Sequence, residues 1–211
     1  MFAKTAIVLS AVVALATAQA NYPLFRQCDG SWGSNRMGTS TRTVCQAGCL
    51  ISSVSMVLRA CGRTVGGAAA DPGSLNRWLG QNGGYVSGNS FVWGSVGSLG
   101  LGYVGQTSSA TDIRSHFRNG RAVVLNVRNG GHWVLMTGAT TAGYTVRDPG
   151  YSVTTYNNAD VTRAGVYNRP AGCPAHLRSE NVAEEELPPL DPTEIEIMDF
   201  DFKELEEAFL Q

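Results

Sequence analysis

The chain has 211 residues and a formal net charge of −1, and this length suits one folded domain with a core of its own. The charge is unevenly distributed: residues 21–175 carry thirteen Arg, no Lys and five Asp, a net charge of +8, whereas residues 176–211 carry a net charge of −10. The arginines are scattered singly without a basic run, which argues against nucleic acid as a partner.

The first twenty residues have the pattern of an export signal. Lys4 precedes a mostly apolar stretch, residues 6–16, and the segment ends in the small-residue pattern Ala18-Gln19-Ala20 that a signal peptidase accepts. The apolar run is far shorter than the ~20 residues that cross a bilayer. We therefore predict a secreted, extracellular protein with a signal peptide over residues 1–20 and no membrane contact after its removal.

Residues 21–175 predict a single α+β domain. Apolar residues at helical spacing over residues 49–62 predict a buried helix that begins at Cys49. Further helices are predicted over residues 71–80, from the Asp-Pro pair, and near residues 111–117. Strands are predicted next, over residues 122–127, 132–137 and 144–147. Helices first and a sheet later is the order typical of an α+β fold.

Five cysteines in an oxidising compartment leave one thiol unpaired. Cys49 is the strongest candidate for a reactive thiol, because its helix begins there. The positive end of a helix dipole stabilises a thiolate, which is the form that attacks carbonyl groups. The unpaired N–H groups of the same helix end can supply part of an oxyanion hole.

His132 and Asp148 are the candidates for the partners of this thiol. His132 opens a strand directly after a Gly-Gly turn, where an imidazole can take a proton from a thiol, and Asp148 ends the next strand, where a carboxylate can orient that imidazole. A two-residue turn at residues 141–142 would place them on opposite faces, and a three-residue turn would place them on the same face. We expect the turn of odd length.

These segments resemble the papain-like peptidases related to the bacteriocin-processing, double-glycine leader peptidases. Four matches occur in order along residues 22–149. The opening segment with Gln27, Asp29 and Trp32-Gly33 is similar to the family's first motif, and Gly48-Cys49 is similar to its nucleophile helix. The last two matches are the His strand and the Asp-Pro pair, at residues 131–138 and 146–149.

The resemblance implies a papain-like fold, a peptide or protein substrate and a role for Gln27. In that role, the Gln27 amide donates to the oxyanion beside the backbone N–H of Cys49. Gln46, three residues before the cysteine, is the runner-up. No metal or other cofactor is expected, because His116 and His176 are isolated and the cysteines lack paired short spacings.

The favoured function is a cysteine peptidase that forms an acyl-thioester on Cys49. Two alternatives stay open: an amide hydrolase of the same Cys-His type that acts on peptidoglycan or another amide, and a non-catalytic secreted binding module on this fold. The remaining cysteines can pair in three ways. We favour Cys28 with Cys45, which closes a short loop beside the Gln27 segment, and Cys61 with Cys173.

Residues 176–211 predict an acidic, flexible tail. Its acids and prolines between residues 184 and 192 leave little apolar surface to bury. Two interpretations of the tail stay open: a solvated segment that improves solubility, or one whose aromatic end docks within the same molecule near the cleft and restrains substrate entry.

Overall fold

Four α-helices and ten β-strands are formed by the residues that the computed structural model describes, which are 21–175. The helices are α1 (Val44–Ala47), α2 (Cys49–Ala60), α3 (Pro72–Gln81) and α4 (Ala110–Arg118). The strands are β1 (Thr64–Val65), β2 (Ala68–Ala69), β3 (Tyr85–Val86), β4 (Ser90–Phe91), β5 (Gly102–Thr107), β6 (Ala122–Val127), β7 (His132–Ala139), β8 (Gly143–Arg147), β9 (Thr155–Asn157) and β10 (Arg163–Asn168). The predicted export signal, residues 1–20, and the predicted tail, residues 176–211, lie outside the described residues.

The main sheet is antiparallel and has six strands in the order β5-β10-β6-β7-β8-β9. Every residue of β6 is buried, because both faces of the sheet are covered. Val124 and Leu135 belong to the same core cluster as the apolar residues of α2. Val123 and Val134 alternate with them and belong to the cluster that contains Ile113 of α4. The domain is therefore α+β, as predicted.

Helix α2 begins at Cys49, as predicted, and runs through the core. Residues 50–58 are all buried, and the helix packs on β6 and β7. Two of its three buried hydroxyls have hydrogen-bond partners: Ser55 Oγ donates to the Ile51 carbonyl at 2.7 Å, and Ser53 Oγ donates to the Trp133 carbonyl at 3.4 Å, whereas Ser52 Oγ has no partner among the described residues. The second of these bonds ties α2 to the strand that begins at His132.

Helices α3 and α4 begin close to the predicted residues, each at a capping side chain. The Asp71 carboxylate accepts from the Ser74 N–H at 2.7 Å, and Pro72 occupies the first helical position. Ser109 Oγ accepts from the Asp112 N–H at 3.2 Å. None of the helices within residues 21–175 has the length and apolar character that crossing a membrane requires.

Sequence patterns did not reveal three strands of the main sheet: β5, β9 and β10. Strand β5 contains Gly105 at φ +145°, and β9 has only three residues. Strand β10 lies in the interior of the sheet, although it contains Gly165, where glycine is required because a Cβ would overlap the Trp93 ring. Glycine lowers the strand propensity of a segment, so the formation of these strands depends on tertiary packing and not on local sequence.

The loop between β7 and β8 differs from the prediction. Residues 140–142 separate the two strands, but the Thr140 N–H donates to the Gly143 carbonyl at 2.9 Å and Ala139 pairs with Tyr144. Thr140 is therefore opposite Gly143, and the turn itself consists of the two residues Thr141 and Ala142. The three-residue turn expected from the sequence is therefore wrong. A two-residue turn alone would place His132 and Asp148 on opposite faces of the sheet.

A β-bulge in β7 nevertheless places His132 and Asp148 on the same face of the sheet. Register changes by one residue between Met136 and Gly138, where the extra residue Thr137 is accommodated in β7. Beyond the bulge, Leu135 pairs with Arg147, so Asp148 falls on the side of the sheet that His132 occupies. The two side chains meet because of the bulge and not because of the turn length.

Two disulfides join segments that are 17 and 112 residues apart in the sequence. Cys28 bonds to Cys45 and Cys61 bonds to Cys173, which are the pairings favoured from the sequence. The first connects the Gln27 segment to α1, and the second connects the end of α2 to the chain that follows β10. Among the described cysteines, Cys49 alone is unpaired.

Candidate active site

Cys49 is the first residue of α2 and is partly exposed, so a substrate can reach its thiol. The residue before it must be glycine. The Gly48 N–H donates to the Val44 carbonyl at 2.7 Å, and a Cβ at position 48 would lie 2.5 Å from that same oxygen. The tight passage from α1 into α2 therefore accounts for the Gly-Cys pair.

His132 is held beside the start of α2 by its own hairpin. The buried Asn126 side chain of β6 donates to the carbonyls of Gly130 and His132, both at 3.0 Å, which closes the turn into β7. His132 Nε2 lies 2.7 Å from Asp148 Oδ1. The Cys49 side chain interacts with the same ring. Because Nε2 is hydrogen-bonded to Asp148, Nδ1 is the ring nitrogen that is available to the thiol.

Asp148 is buried and uses both carboxylate oxygens. Oδ1 accepts from His132 and from the N–H groups of Gly150 and Tyr151, at 2.8 and 2.9 Å, while Oδ2 accepts from the Tyr156 hydroxyl at 2.8 Å. Burial raises the pKa of the Asp148 carboxyl, but these four hydrogen bonds together hold the pKa below its usual range. The carboxylate is therefore ionised at neutral pH.

Contacts with Asp148 and Cys49 outweigh the effect of burial on the pKa of His132. Burial lowers the pKa of the imidazole, yet the hydrogen bonds and charges of Asp148 and Cys49 raise that pKa to about 9. At neutral pH the ring consequently carries a proton that it can donate. A protonated imidazole beside a thiol and a buried carboxylate is an arrangement suited to acyl transfer.

Gln27 lies at the site, and Gln46 does not share this position. The Gln27 backbone N–H donates to the Pro149 carbonyl at 2.9 Å, and its side-chain Nε2 donates to the Cys45 carbonyl at 2.6 Å. A Cβ at position 150 would lie 2.9 Å from His132 Cε1 and 3.3 Å from Gln27 Oε1, so both side chains border the same space.

Gln46 instead stabilises the start of α1. It is exposed, and its Oε1 accepts from the Thr43 N–H at 3.0 Å in a capping box. The amide group of Gln27 has two N–H donors, of which one is used by the Cys45 carbonyl. The second is available to a ligand.

Three further residues complete the site and were not found from the sequence. Tyr156 holds Asp148, the Tyr151 ring lies 5.1 Å from the His132 ring, and the Arg128 guanidinium lies 4.0 Å from the Tyr151 ring. Tyr151 follows the Asp-Pro-Gly segment directly, which is the only sequence signal that pointed to it. Within residues 21–175, no group of three or more His, Cys, Asp or Glu side chains is placed to hold a metal ion.

The α+β fold, with a cysteine at a helix start and a His-Asp pair on the sheet, defines a papain-like cysteine peptidase domain. Residues 19–171 match the model of the Peptidase_C39 like family, and the chain belongs to that family. A crystal structure of a Bacillus anthracis protein described as a C39-like peptidase is similar at a TM-score of 0.48 and 16% sequence identity, over 72% of this chain and 97% of that chain. No curated protein matches the chain in a sequence search.

Proposed function

We propose that the protein is a secreted cysteine peptidase that hydrolyses peptide bonds through an acyl-thioester on Cys49. His132 is its acid and base, Asp148 orients His132, and Gln27 contributes to the oxyanion hole. One observation carries the proposal: the unpaired, partly exposed Cys49 lies at the His132 imidazole, whose other side is held at 2.7 Å by a buried carboxylate. Family membership independently supports this reaction class.

Acylation begins when the Cys49 sulfur, its proton held by His132, attacks the carbonyl carbon of the scissile peptide bond. A carbon–sulfur bond forms, and the carbonyl oxygen becomes an oxyanion. The His132 imidazolium then donates its proton to the peptide nitrogen, and the carbon–nitrogen bond breaks. The amine half of the substrate leaves, and the acyl half stays on the sulfur.

Deacylation uses the same residues in reverse. Neutral His132 takes a proton from a water molecule, and the resulting hydroxide attacks the thioester carbonyl. The carbon–sulfur bond breaks, the carboxylic acid product leaves, and the thiolate–imidazolium pair is restored. Asp148 keeps its charge throughout, because its role is to orient the ring and to stabilise the imidazolium.

The oxyanion requires donors that do not have to reorganise. The first N–H groups of a helix have no partner inside that helix, so the backbone of Cys49 at the start of α2 is one donor. The free N–H of the Gln27 amide is the second. Gln27 is held in place by its bonds to Cys45 and Pro149, which supports its assignment over Gln46.

Secretion is the second part of the proposal. The signal-like pattern of residues 1–20 supports it. The two disulfides support it as well, since disulfides form and persist in oxidising compartments outside the cytosol.

Digestion of a peptide library tests the proposal. Protein exported from cells that express the full chain would be compared with its Cys49→Ala variant, and the products would be read by mass spectrometry. We expect cleavage by the wild type alone. Purified peptidoglycan digested in parallel examines the amide-hydrolase alternative, and an intact peptide library beside cleaved peptidoglycan would contradict peptidase activity.

Alkylation of the thiol separates an enzyme from a binding module on the same fold. With iodoacetamide at neutral pH, we expect one fast-reacting thiol, at Cys49, since the other four cysteines are paired. The His132→Ala variant should react more slowly, because the imidazole no longer accepts the proton. A thiol that reacts equally slowly in both proteins would contradict the proposed nucleophile.

A further inference from the structure

An exposed aromatic ring stands beside the His132 imidazole. The Tyr151 ring meets the His132 ring edge-on, with centroids 5.1 Å apart, and 44% of Tyr151 is exposed. The Tyr151 backbone is held at both ends: its N–H donates to Asp148 Oδ1 at 2.9 Å, and its carbonyl accepts from Arg26 Nη1 at 2.6 Å. Tyr151 is therefore a fixed part of the surface around His132.

A guanidinium group covers the ring of Tyr151. The Arg128 guanidinium carbon lies 4.0 Å from the Tyr151 ring centroid, within the range of a cation–π contact. Arg128 is exposed and has φ +54°, which residues with a Cβ rarely adopt. The hairpin that carries His132 holds this backbone conformation through the bonds of Asn126. Such conformations concentrate at functional sites.

The charge of Arg128 has no acidic partner in the part of the chain that the structure describes. Within residues 21–175, the contact between His132 and Asp148 is the only one that meets the distance of a salt bridge. The same residues carry thirteen Arg against five Asp. Arg128 also hydrogen-bonds the Tyr156 side chain. Its described side-chain partners, Tyr151 and Tyr156, are tyrosines rather than carboxylates, so an anionic group of a ligand would meet a cation without an acidic partner next to His132.

The chemistry of the proposed reaction decides which part of a substrate lies there. His132 donates its proton to the nitrogen of the leaving amine, so the first residue of the leaving half passes beside His132. Tyr151, whose ring meets the His132 ring edge-on, and Arg128, which covers the Tyr151 ring, are exposed groups next to His132. Tyr151 offers an apolar wall to the substrate side chain, and Arg128 offers a carboxylate the guanidinium N–H groups that Tyr156 does not use.

We propose that Tyr151 and Arg128 form the subsite for the residue that directly follows the scissile bond, and that this subsite favours an acidic side chain. The inference rests on the proposed function and adds the substrate class. If the Arg128–Tyr151 pair only shielded the His132–Asp148 contact from water, changes at Arg128 would slow the cleavage of all substrates equally. A subsite instead predicts a change of preference.

The test is a digestion of a defined peptide library by the exported full-length protein and its variants. At the position after the cleaved bond, we expect Asp and Glu to be enriched about fivefold by the wild type, since an exposed ion pair contributes up to about that factor. Arg128→Gln should abolish the enrichment, and Arg128→Glu should replace it with a preference for Lys and Arg. Arg77→Glu is the matched control, because Arg77 is exposed on α3 outside the site and its change alters the net charge equally.

A pair of single peptides sharpens the measurement. The two differ only in Glu or Gln after the scissile bond, so they match in shape and differ in charge. The ratio of their kcat/KM values should be about five in the wild type and about one in Arg128→Gln. In 1 M salt the wild-type ratio should fall towards one, because the Debye length is then about 3 Å.

The outcomes separate this inference from the proposed function. A library that the wild type cleaves without acidic enrichment, or an Arg128→Glu variant with unchanged preference, overturns the subsite and leaves the peptidase intact. Equal loss of activity towards the Glu and Gln peptides in Arg128→Gln assigns Arg128 a structural role only and also overturns the subsite. A library that the wild type leaves as intact as Cys49→Ala does overturns both.

Discussion

The Tyr156 hydroxyl donates a hydrogen bond of 2.8 Å to Oδ2 of Asp148, the carboxylate oxygen that His132 does not use. Tyr156 lies in β9, at the edge of the main sheet. The bond lowers the pKa of the Asp148 carboxyl, and burial together with this carboxylate raises the pKa of the Tyr156 hydroxyl to about 12. Tyr156 is thus a positioning residue that acts on His132 through Asp148.

Replacing Tyr156 by Phe should lower kcat/KM by about tenfold to a hundredfold, because a hydrogen bond to a charged group contributes about 1.5–3 kcal/mol. The pKa of Asp148 should rise without this donor, so the acid limb of the pH–rate profile should move to higher pH. Tyr103→Phe is the matched control, since Tyr103 is a partly exposed tyrosine on the opposite edge strand β5. A Tyr156→Phe enzyme with an unchanged acid limb would remove Tyr156 from this role.

Loss of the nucleophile or the base should abolish hydrolysis. We expect Cys49→Ala and His132→Ala each to lower kcat by about 10⁴-fold or more, because the two residues act as one unit. Asp148→Asn should cost less than either, since the surrounding backbone also positions the ring. His116→Ala on α4 serves as the control for removal of a histidine. Full activity of Cys49→Ala would be incompatible with the mechanism.

The pKa of His132 predicts a pH dependence of stability. The folded value of about 9 exceeds the ordinary 6.5, so protonation of His132 stabilises the fold. This contribution is complete below about pH 6.5 and is lost as the pH rises through about 9. An NMR titration should find that Asp148→Asn and Cys49→Ala each lower the pKa of His132. A value near 6.5 in the wild type would refute the coupling.

The two glutamines near Cys49 form a matched pair of variants. Gln27→Ala should lower kcat about 10²-fold, as expected for loss of one oxyanion donor, with little change in KM. Gln46→Ala should leave kcat unchanged and lower the free energy of unfolding by about 1 kcal/mol, because it removes half of a capping box. Steady-state kinetics and denaturant unfolding distinguish them. The reverse pattern would move the oxyanion role to Gln46.

The two disulfides should differ in their effect on activity. Replacing both Cys28 and Cys45 by Ala should lower the free energy of unfolding by about 3 kcal/mol and also lower kcat, because the bridge joins the Gln27 segment to α1. Replacing both Cys61 and Cys173 opens a loop of 112 residues and should cost about 4–5 kcal/mol, with kcat unchanged while the protein is folded. Mass mapping that finds Cys49 in a disulfide of the active protein would contradict both expectations.

Local patterns in the sequence determined the segments that carry the chemistry. The helical spacing of apolar residues after Cys49 predicted α2 to within two residues, and an Asn-Gly-Gly turn predicted a strand that begins at His132. The Asp-Pro pair predicted where β8 ends. These features depend on neighbours a few residues away, so a single sequence is sufficient to read them.

The meeting of these segments was decided by the tertiary structure. Strand faces alternate every residue, so the one-residue bulge at Thr137 determined whether His132 and Asp148 share a face, and no local pattern predicted it. Tyr156 and Arg128 reach the site from chain segments whose proximity depends on sheet pairing and on a strained turn. Contacts between distant residues follow from packing of the whole domain, which is why the sequence alone predicted Cys49, His132 and Asp148 as site residues but not Tyr156, Tyr151 and Arg128.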